Sequence, residues 1–266
     1  MKIEDLIYPK KENPIENIVP NGGFCRIFRT IACVGDSLSS GELESMDESG
    51  KREYHDMYEY SWGQYMARTL GNTVHNFSKG GMTAKEFCES FAKINNFWDS
   101  SKKAQAYIIA MGVNDITNYG ENLGKIDDID FVNYENNADS FVGYYAKIIQ
   151  KYKELQPKAK FFLMTMPKWY KHKDRDAAED RHRELLYEMT KVFDNTYVLD
   201  LRKYAPYYDE AFEKKFFLGG HMNPCGYILT AEMVMTYIDY IIRNNMEDFS
   251  QIGFVGTEYH NASAKW

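Results

Sequence analysis

Short apolar runs of strand length alternate with amphipathic stretches of helical length along most of this chain, and few folds accommodate that alternation. A strand that feeds a helix and returns to a parallel strand builds a sheet covered on both faces. The strand-like runs are 30–35 (TIACVG), 73–77 (TVHNF), 105–111 (QAYIIAM), 159–165 (AKFFLMT) and 196–200 (TYVLD). All are rich in the β-branched and aromatic residues that suit a pleated surface. Between 138 and 155, Phe141, Val142, Tyr145, Ile148, Ile149, Tyr152 and Leu155 fall on one helical stripe, which Pro157 closes. Asn223-Pro224 reads as a cap followed by a first-turn proline, opening a helix through Ile228, Ala231, Val234, Ile238 and Ile242 to about 244. Further helices are expected at about 61–70, 83–93 and 177–191. The pattern predicts a three-layer α/β/α sandwich around a five-stranded parallel sheet, with the flavodoxin-like strand order 2-1-3-4-5.

The 266 residues suffice for one such domain, placed at 29–245. Residues 1–28 and 246–266 lie outside the alternation and are expected to be arms packing on the domain or on a partner subunit; the pattern does not specify an oligomeric state. No apolar run is long enough to span a bilayer, and residues 1–20 have no continuous apolar segment of the secretory type, so a cytoplasmic protein is expected. Four separated cysteines without a CxxC pair suit reduced thiols. A net charge of -7 offers no basic footprint for nucleic acid. The aromatic share of 15%, with 21 tyrosines, exceeds ordinary core needs, so some rings are expected to line a site or an interface.

In a sheet of this order ligands bind beyond the carboxyl ends of the strands, where the order reverses between the first and third. There the first strand runs into Gly35-Asp36-Ser37-Leu38, the second into Ser78-Lys79-Gly80-Gly81, and the third into Gly112-Val113-Asn114-Asp115. A serine hydroxyl at such a point becomes a nucleophile if a base takes its proton and if donors meet the oxyanion that forms. The Ser37 and Gly81 amides and the Asn114 side chain are candidate oxyanion donors. His221, in a glycine-led loop ahead of the last helix, is the candidate base.

These residues carry a resemblance. Gly35-Asp36-Ser37-Leu38 is similar to the block that names the GDSL (SGNH) esterases and lipases. Asn76 to Thr83 (NFSKGGMT) resembles the second block, Gly112 to Asp115 the third, and His221 the histidine of the fifth. The resemblance spans about 29–243. It implies a carboxylic ester hydrolase working through a Ser37 acyl-enzyme, on a small-molecule or carbohydrate ester, with neither metal nor organic cofactor. The G-x-S-x-G elbow of the α/β-hydrolases is absent, since position 39 is Ser.

The family usually sets an aspartate three residues before the histidine, where this chain has Leu218. Asp209, Glu210 or Glu213 folding back to the imidazole, a backbone carbonyl, or a Ser-His dyad would each answer the gap. Segment 43–60 is long for a strand-to-helix connection and is the candidate specificity lid. Its Tyr54, His55 and Tyr58, with Trp169 and Tyr170 at the end of the fourth strand, are candidate pocket residues. His172 and His182 match no metal-ligand spacing and fall in a charged stretch expected to be solvated, and Cys225 is expected to be a buried thiol. The alternative readings are an acyltransferase on the same fold and a ligand-binding protein weakened in chemistry by Leu218.

Overall fold

The computed structural model describes residues 12–118 and 123–263. In chain order the elements are β1 (Thr30–Gly35), α1 (Ser37–Ser40), β2 (Glu42–Met46), β3 (Arg52–Asp56), α2 (Trp62–Leu70), β4 (Thr73–Ser78), α3 (84–94), β5 (Ala106–Ala110) and α4 (Val113–Asn118). They continue with α5 (Phe141–Leu155), β6 (Lys160–Met164), α6 (Asp176–Met189), β7 (Thr196–Leu199), α7 (Leu201–Tyr204), α8 (Glu210–Phe216), β8 (Phe217–Leu218), β9 (His221–Met222), α9 (Pro224–Asn244) and α10 (Met246–Phe249). The main sheet is parallel, in the order β4-β1-β5-β6-β7. Counted within that sheet, this is the order 2-1-3-4-5, and the chain has the α/β architecture expected.

The period-two geometry of the strands divides the core into two layers. Ala32 and Val34 of β1, with Tyr107 and Ile109 of β5, face α3, α5 and α6. Ile31 and Cys33, with Ala106 and Ile108, face α2 and α9. Sequence cues set the helix boundaries. Ser61, Ser140 and Asn223 each accept a backbone N–H in the first turn of the helix that follows. The expected helix at 83–93 forms with a π turn at Phe87–Phe91 inside it.

Both terminal segments, as far as they are described, pack on the domain. Cys25 and Phe28 are buried against the α9 layer, and the Phe24 amide donates to Asp239 Oδ1 at 2.7 Å. After α9, Phe249 stacks on Phe162 and Tyr197, while Gln105 Nε2 donates to the Ile252 carbonyl at 2.8 Å. Residues 1–11 of the first arm lie outside the described residues. No helix among the described residues is long and apolar enough to cross a membrane.

Segment 43–60, the candidate lid, has regular structure. Its first part is the antiparallel hairpin β2–β3, with Glu42 opposite Asp56 and Glu44 opposite Tyr54. In β2 the burial alternates, with Glu42 and Glu44 buried on one face and Leu43 between them on the other. The hairpin thus carries two carboxylates inward beside the end of β1.

Candidate active site

Ser37 opens α1 directly after β1. The Asp36 side chain accepts the Leu38 amide at 3.0 Å, capping the turn and fixing where the serine emerges. Burial pushes the Asp36 carboxyl up to about 7, against the opposing pull of the Leu38 amide and of His221. Ser37 lines a cleft of about 220 Å³ together with Asn114, Trp169 and His221. Met166, Tyr208, Phe217 and Met222 supply apolar wall, and Arg175 a cation whose Nη1 donates to Thr117 Oγ1 at 2.7 Å.

The ends of β4 and β5 are tied together beside it. Ala84, at the start of α3, donates its amide to Asp115 Oδ1 at 3.0 Å, and burial raises the Asp115 carboxyl to about 6. Asn114 Nδ2 donates to the Met82 carbonyl at 3.2 Å. Gly81 has φ +72°, a conformation glycine adopts without strain, and a Cβ there would touch nothing within 4 Å. Among the described residues no acceptor meets the Gly81 or the Ser37 amide. Gly112 is required for a different reason: a Cβ there would lie 2.5 Å from His182 Nε2. That buried imidazole donates from Nε2 to the Met111 carbonyl at 3.0 Å, and burial lowers its pKa to about 4. His182 is therefore a core prop under the β5 turn, and the expectation that it is solvated is corrected.

His221 sits on the small β8–β9 hairpin, paired with Leu218 across the ladder. None of the three expected acids meets its ring. Asp209 caps α8 by accepting the Phe212 amide at 2.8 Å, and Glu213 pairs with Lys171. Glu210 lines an adjoining shallow depression. The residue at His221 Nδ1 is Glu44: Nδ1 and Glu44 Oε1 are 2.7 Å apart, and the same oxygen accepts the Gly220 amide at 2.7 Å. Arg52 Nε lies 3.2 Å from Glu44 Oε2. On the other side of the ring, Glu42 Oε1 lies 3.0 Å from Nε2. Burial opposes charge on this imidazole, but the carboxylates of Glu42 and Glu44 outweigh it, so its pKa is raised. Among the described residues Ser37 Oγ makes no hydrogen bond to His221, although both line the cleft. The pair Glu42 and Glu44 was missed in sequence, where the signal was a Glu-Leu-Glu alternation at strand period.

The candidate pocket residues separate. Trp169 lines the cleft, and the Tyr54 ring stands edge-on to His221 at 5.8 Å between centroids. Tyr170 faces the adjoining depression, His55 bonds Ser45 Oγ at 2.8 Å on the exposed side of the hairpin, and Tyr58 is exposed outside the cleft lining. His172, unremarked as a pocket residue, lines the cleft and holds Glu179 Oε1 at 2.8 Å from Nδ1. Glu179 also accepts from the buried Arg202 at 2.6 Å, which anchors this wall to the end of β7. Cys225 is exposed, where a buried thiol was expected. No group of three His, Cys, Asp or Glu side chains suited to a metal occurs among the described residues.

The family model described as GDSL-like lipase/acylhydrolase matches residues 33–229. No curated protein sequence matches the chain. Among solved structures it is similar to a family two carbohydrate esterase from Clostridium thermocellum in complex with cellohexaose. The TM-score is 0.58 at 17% identity, covering 83% of this chain and 65% of that one. It is also similar to a family 3 carbohydrate esterase from the same organism, with TM-score 0.52 and 14% identity over 81% of this chain and 97% of that one. At such identities the likeness concerns the fold.

Proposed function

This chain belongs to the GDSL-like lipase/acylhydrolase family and is a carboxylic ester hydrolase, and from that premise we propose that it cleaves esters through a Ser37 acyl-enzyme with His221 as general base. The observation that carries this reading is the meeting of Ser37, His221 and Asn114 on one cleft, from three separate parts of the chain. As Ser37 Oγ attacks the ester carbonyl, its proton passes to His221 Nε2. The oxygen that becomes negative is met by the Ser37 and Gly81 amides and by Asn114 Nδ2. His221 then returns the proton to the leaving alcohol, and water releases the acyl group by the same route.

Glu44 takes the place of the family's aspartate. A carboxylate at Nδ1 keeps the proton on that nitrogen, leaves the Nε2 lone pair for the serine, and stabilises the imidazolium that forms. Catalytic hydrogen bonds are commonly loose before substrate binds, and in this reading Nε2 exchanges its Glu42 neighbour for Ser37 on the way to the acyl-enzyme. The small cleft suits a short acyl group. Trp169 and Tyr54 offer flat rings of the kind that pack on sugar faces, and the carbohydrate esterases among the structural neighbours support a carbohydrate ester as substrate.

The test is labelling with a fluorophosphonate probe alongside turnover of a short-chain aryl ester. Wild type should label and turn over, Ser37→Ala should do neither, and His221→Ala should lose nearly all of both. Labelling or turnover that survives Ser37→Ala would overturn the assignment.

A further inference from the structure

Glu42 is unexplained by the reading above, which needs only one carboxylate at His221. Its side chain is 10% exposed, its carboxylate is 3.0 Å from Nε2, and that nitrogen is the one the serine must use. The position is held from several sides. The Glu42 carbonyl accepts the Tyr227 hydroxyl of α9 at 2.7 Å, which pins the strand. On the opposite side the carboxylate lies where a Cβ on Gly80 would be, 2.0 Å from that point, so any other residue at 80 would evict it. Resting on the proposal that Ser37 and His221 are nucleophile and base, we propose that Glu42 is a positioning residue that competes with Ser37 for Nε2 and keeps the base capped in the free enzyme.

The charges facing this contact favour the capped form. Glu44 and Arg52 face the ring from the hairpin, with Tyr54 edge-on; Asp36 approaches from the end of β1; and Tyr227 faces Glu42 from α9. From β3, Asp56 takes the Gly80 amide at 3.2 Å and the Ser40 hydroxyl. Four carboxyl groups thus surround one imidazole and one half-exposed guanidinium. With carboxylates at both nitrogens, the ring carries a proton at each. Before Ser37 can be deprotonated, the proton between Nε2 and Glu42 must pass to water. Nε2 is then a lone pair, Nδ1–H stays on Glu44, and the serine O–H can take Glu42's place. Activity should therefore appear as pH rises through an imidazole pKa that lies above the ordinary range.

The experiment is the pH dependence of fluorophosphonate labelling and of kcat/KM for a neutral short-chain aryl ester, in wild type and Glu42→Gln. An opposite charge at this distance moves a pKa by roughly one to three units. Glu42→Gln should accordingly shift the acid limb down by about one unit, and label and hydrolyse roughly fivefold faster at a pH one unit below the wild-type limb. An unmoved limb, or loss of labelling at every pH in a folded variant, overturns the proposal. If the variant fails to fold, ¹⁵N resonances of the histidine rings in wild type decide, with His221→Gln for assignment. Both His221 nitrogens should stay protonated to a higher pH than an ordinary imidazole, and a ring that turns neutral at or below the ordinary range overturns the proposal. Wild-type protein that does not label at any pH contradicts the Ser37 reading itself, whereas labelling with an unmoved limb contradicts only the role of Glu42.

Discussion

Glu44 is the residue on which the triad reading is most exposed to test. Its Oε1 accepts from His221 Nδ1 and from the Gly220 amide, both at 2.7 Å, while Oε2 faces Arg52 Nε at 3.2 Å. In Glu44→Gln the amide oxygen belongs on the side with two N–H donors, because placing the NH2 there sets donor against donor. The tautomer of His221 therefore survives, while the charge and the pairing with the half-exposed Arg52 are lost. A hydrogen bond to a charged group contributes about 1.5–3 kcal/mol against roughly 1 for a neutral one, so the expected fall in kcat/KM is about tenfold. The loss falls mainly on the transition state, where the imidazolium forms. Glu44→Ala removes the acceptor altogether and frees the ring, and its cost should approach the roughly 10⁴-fold loss known for a triad with the wrong tautomer.

The assay is kcat/KM for a short-chain aryl ester across pH, with thermal melts to confirm folding. Loss of Glu44 should also move the acid limb down, because one of the two carboxylates raising the His221 pKa has gone. The two glutamates then part company: Glu42→Gln lowers the limb and speeds the reaction below it, while Glu44→Gln lowers the limb and slows the plateau. A folded Glu44→Ala protein with kcat/KM within threefold of wild type would refute the reasoning and reduce Glu44 to a tether for the hairpin.

Three further outcomes are expected. Asn114→Ala should lower kcat by about 10²-fold, as removal of one oxyanion donor does, with little change in KM; an equal change in KM would assign Asn114 to substrate binding instead. His182 is neutral when folded down to about pH 4, whereas the unfolded side chain takes a proton near 6.5. Its contribution is complete above 6.5 and is lost as pH falls towards 4, on the order of 2 kcal/mol between pH 7 and 5. Denaturant melts should show that slope flattened in His182→Gln, whose side chain does not titrate, and parallel curves would contradict it. A thiol reagent should titrate Cys225 alone in the native protein, since burial raises the pKa of Cys25, Cys33 and Cys88, and all four after unfolding. More than one fast native thiol would contradict this.

What the sequence made legible follows from how local each signal is. The five strands and the paired cap and proline at Asn223-Pro224 are written in neighbouring residues, and they appear close to the expected boundaries. Ser37 and Asn114 line one cleft because a parallel sheet places neighbouring strand ends side by side, which brings local motifs into one neighbourhood. His182 misled because its charged helical neighbours hide a single inward face, filled under Gly112. The partner of His221 misled for a different reason. A missing aspartate at 218 directed the search to nearby acids, yet Leu218 is fixed opposite His221 in a hairpin ladder, and its side chain is 52% exposed. The carboxylate at His221 Nδ1 instead comes from the hairpin inserted after Ser37. The clue was period rather than proximity: in a strand, residues two apart share a face, so Glu42 and Glu44 flanking Leu43 turn inward together. Two buried carboxylates on one face need partners, and they find them in the His221 ring, which lies between them, and in Arg52 beside Glu44.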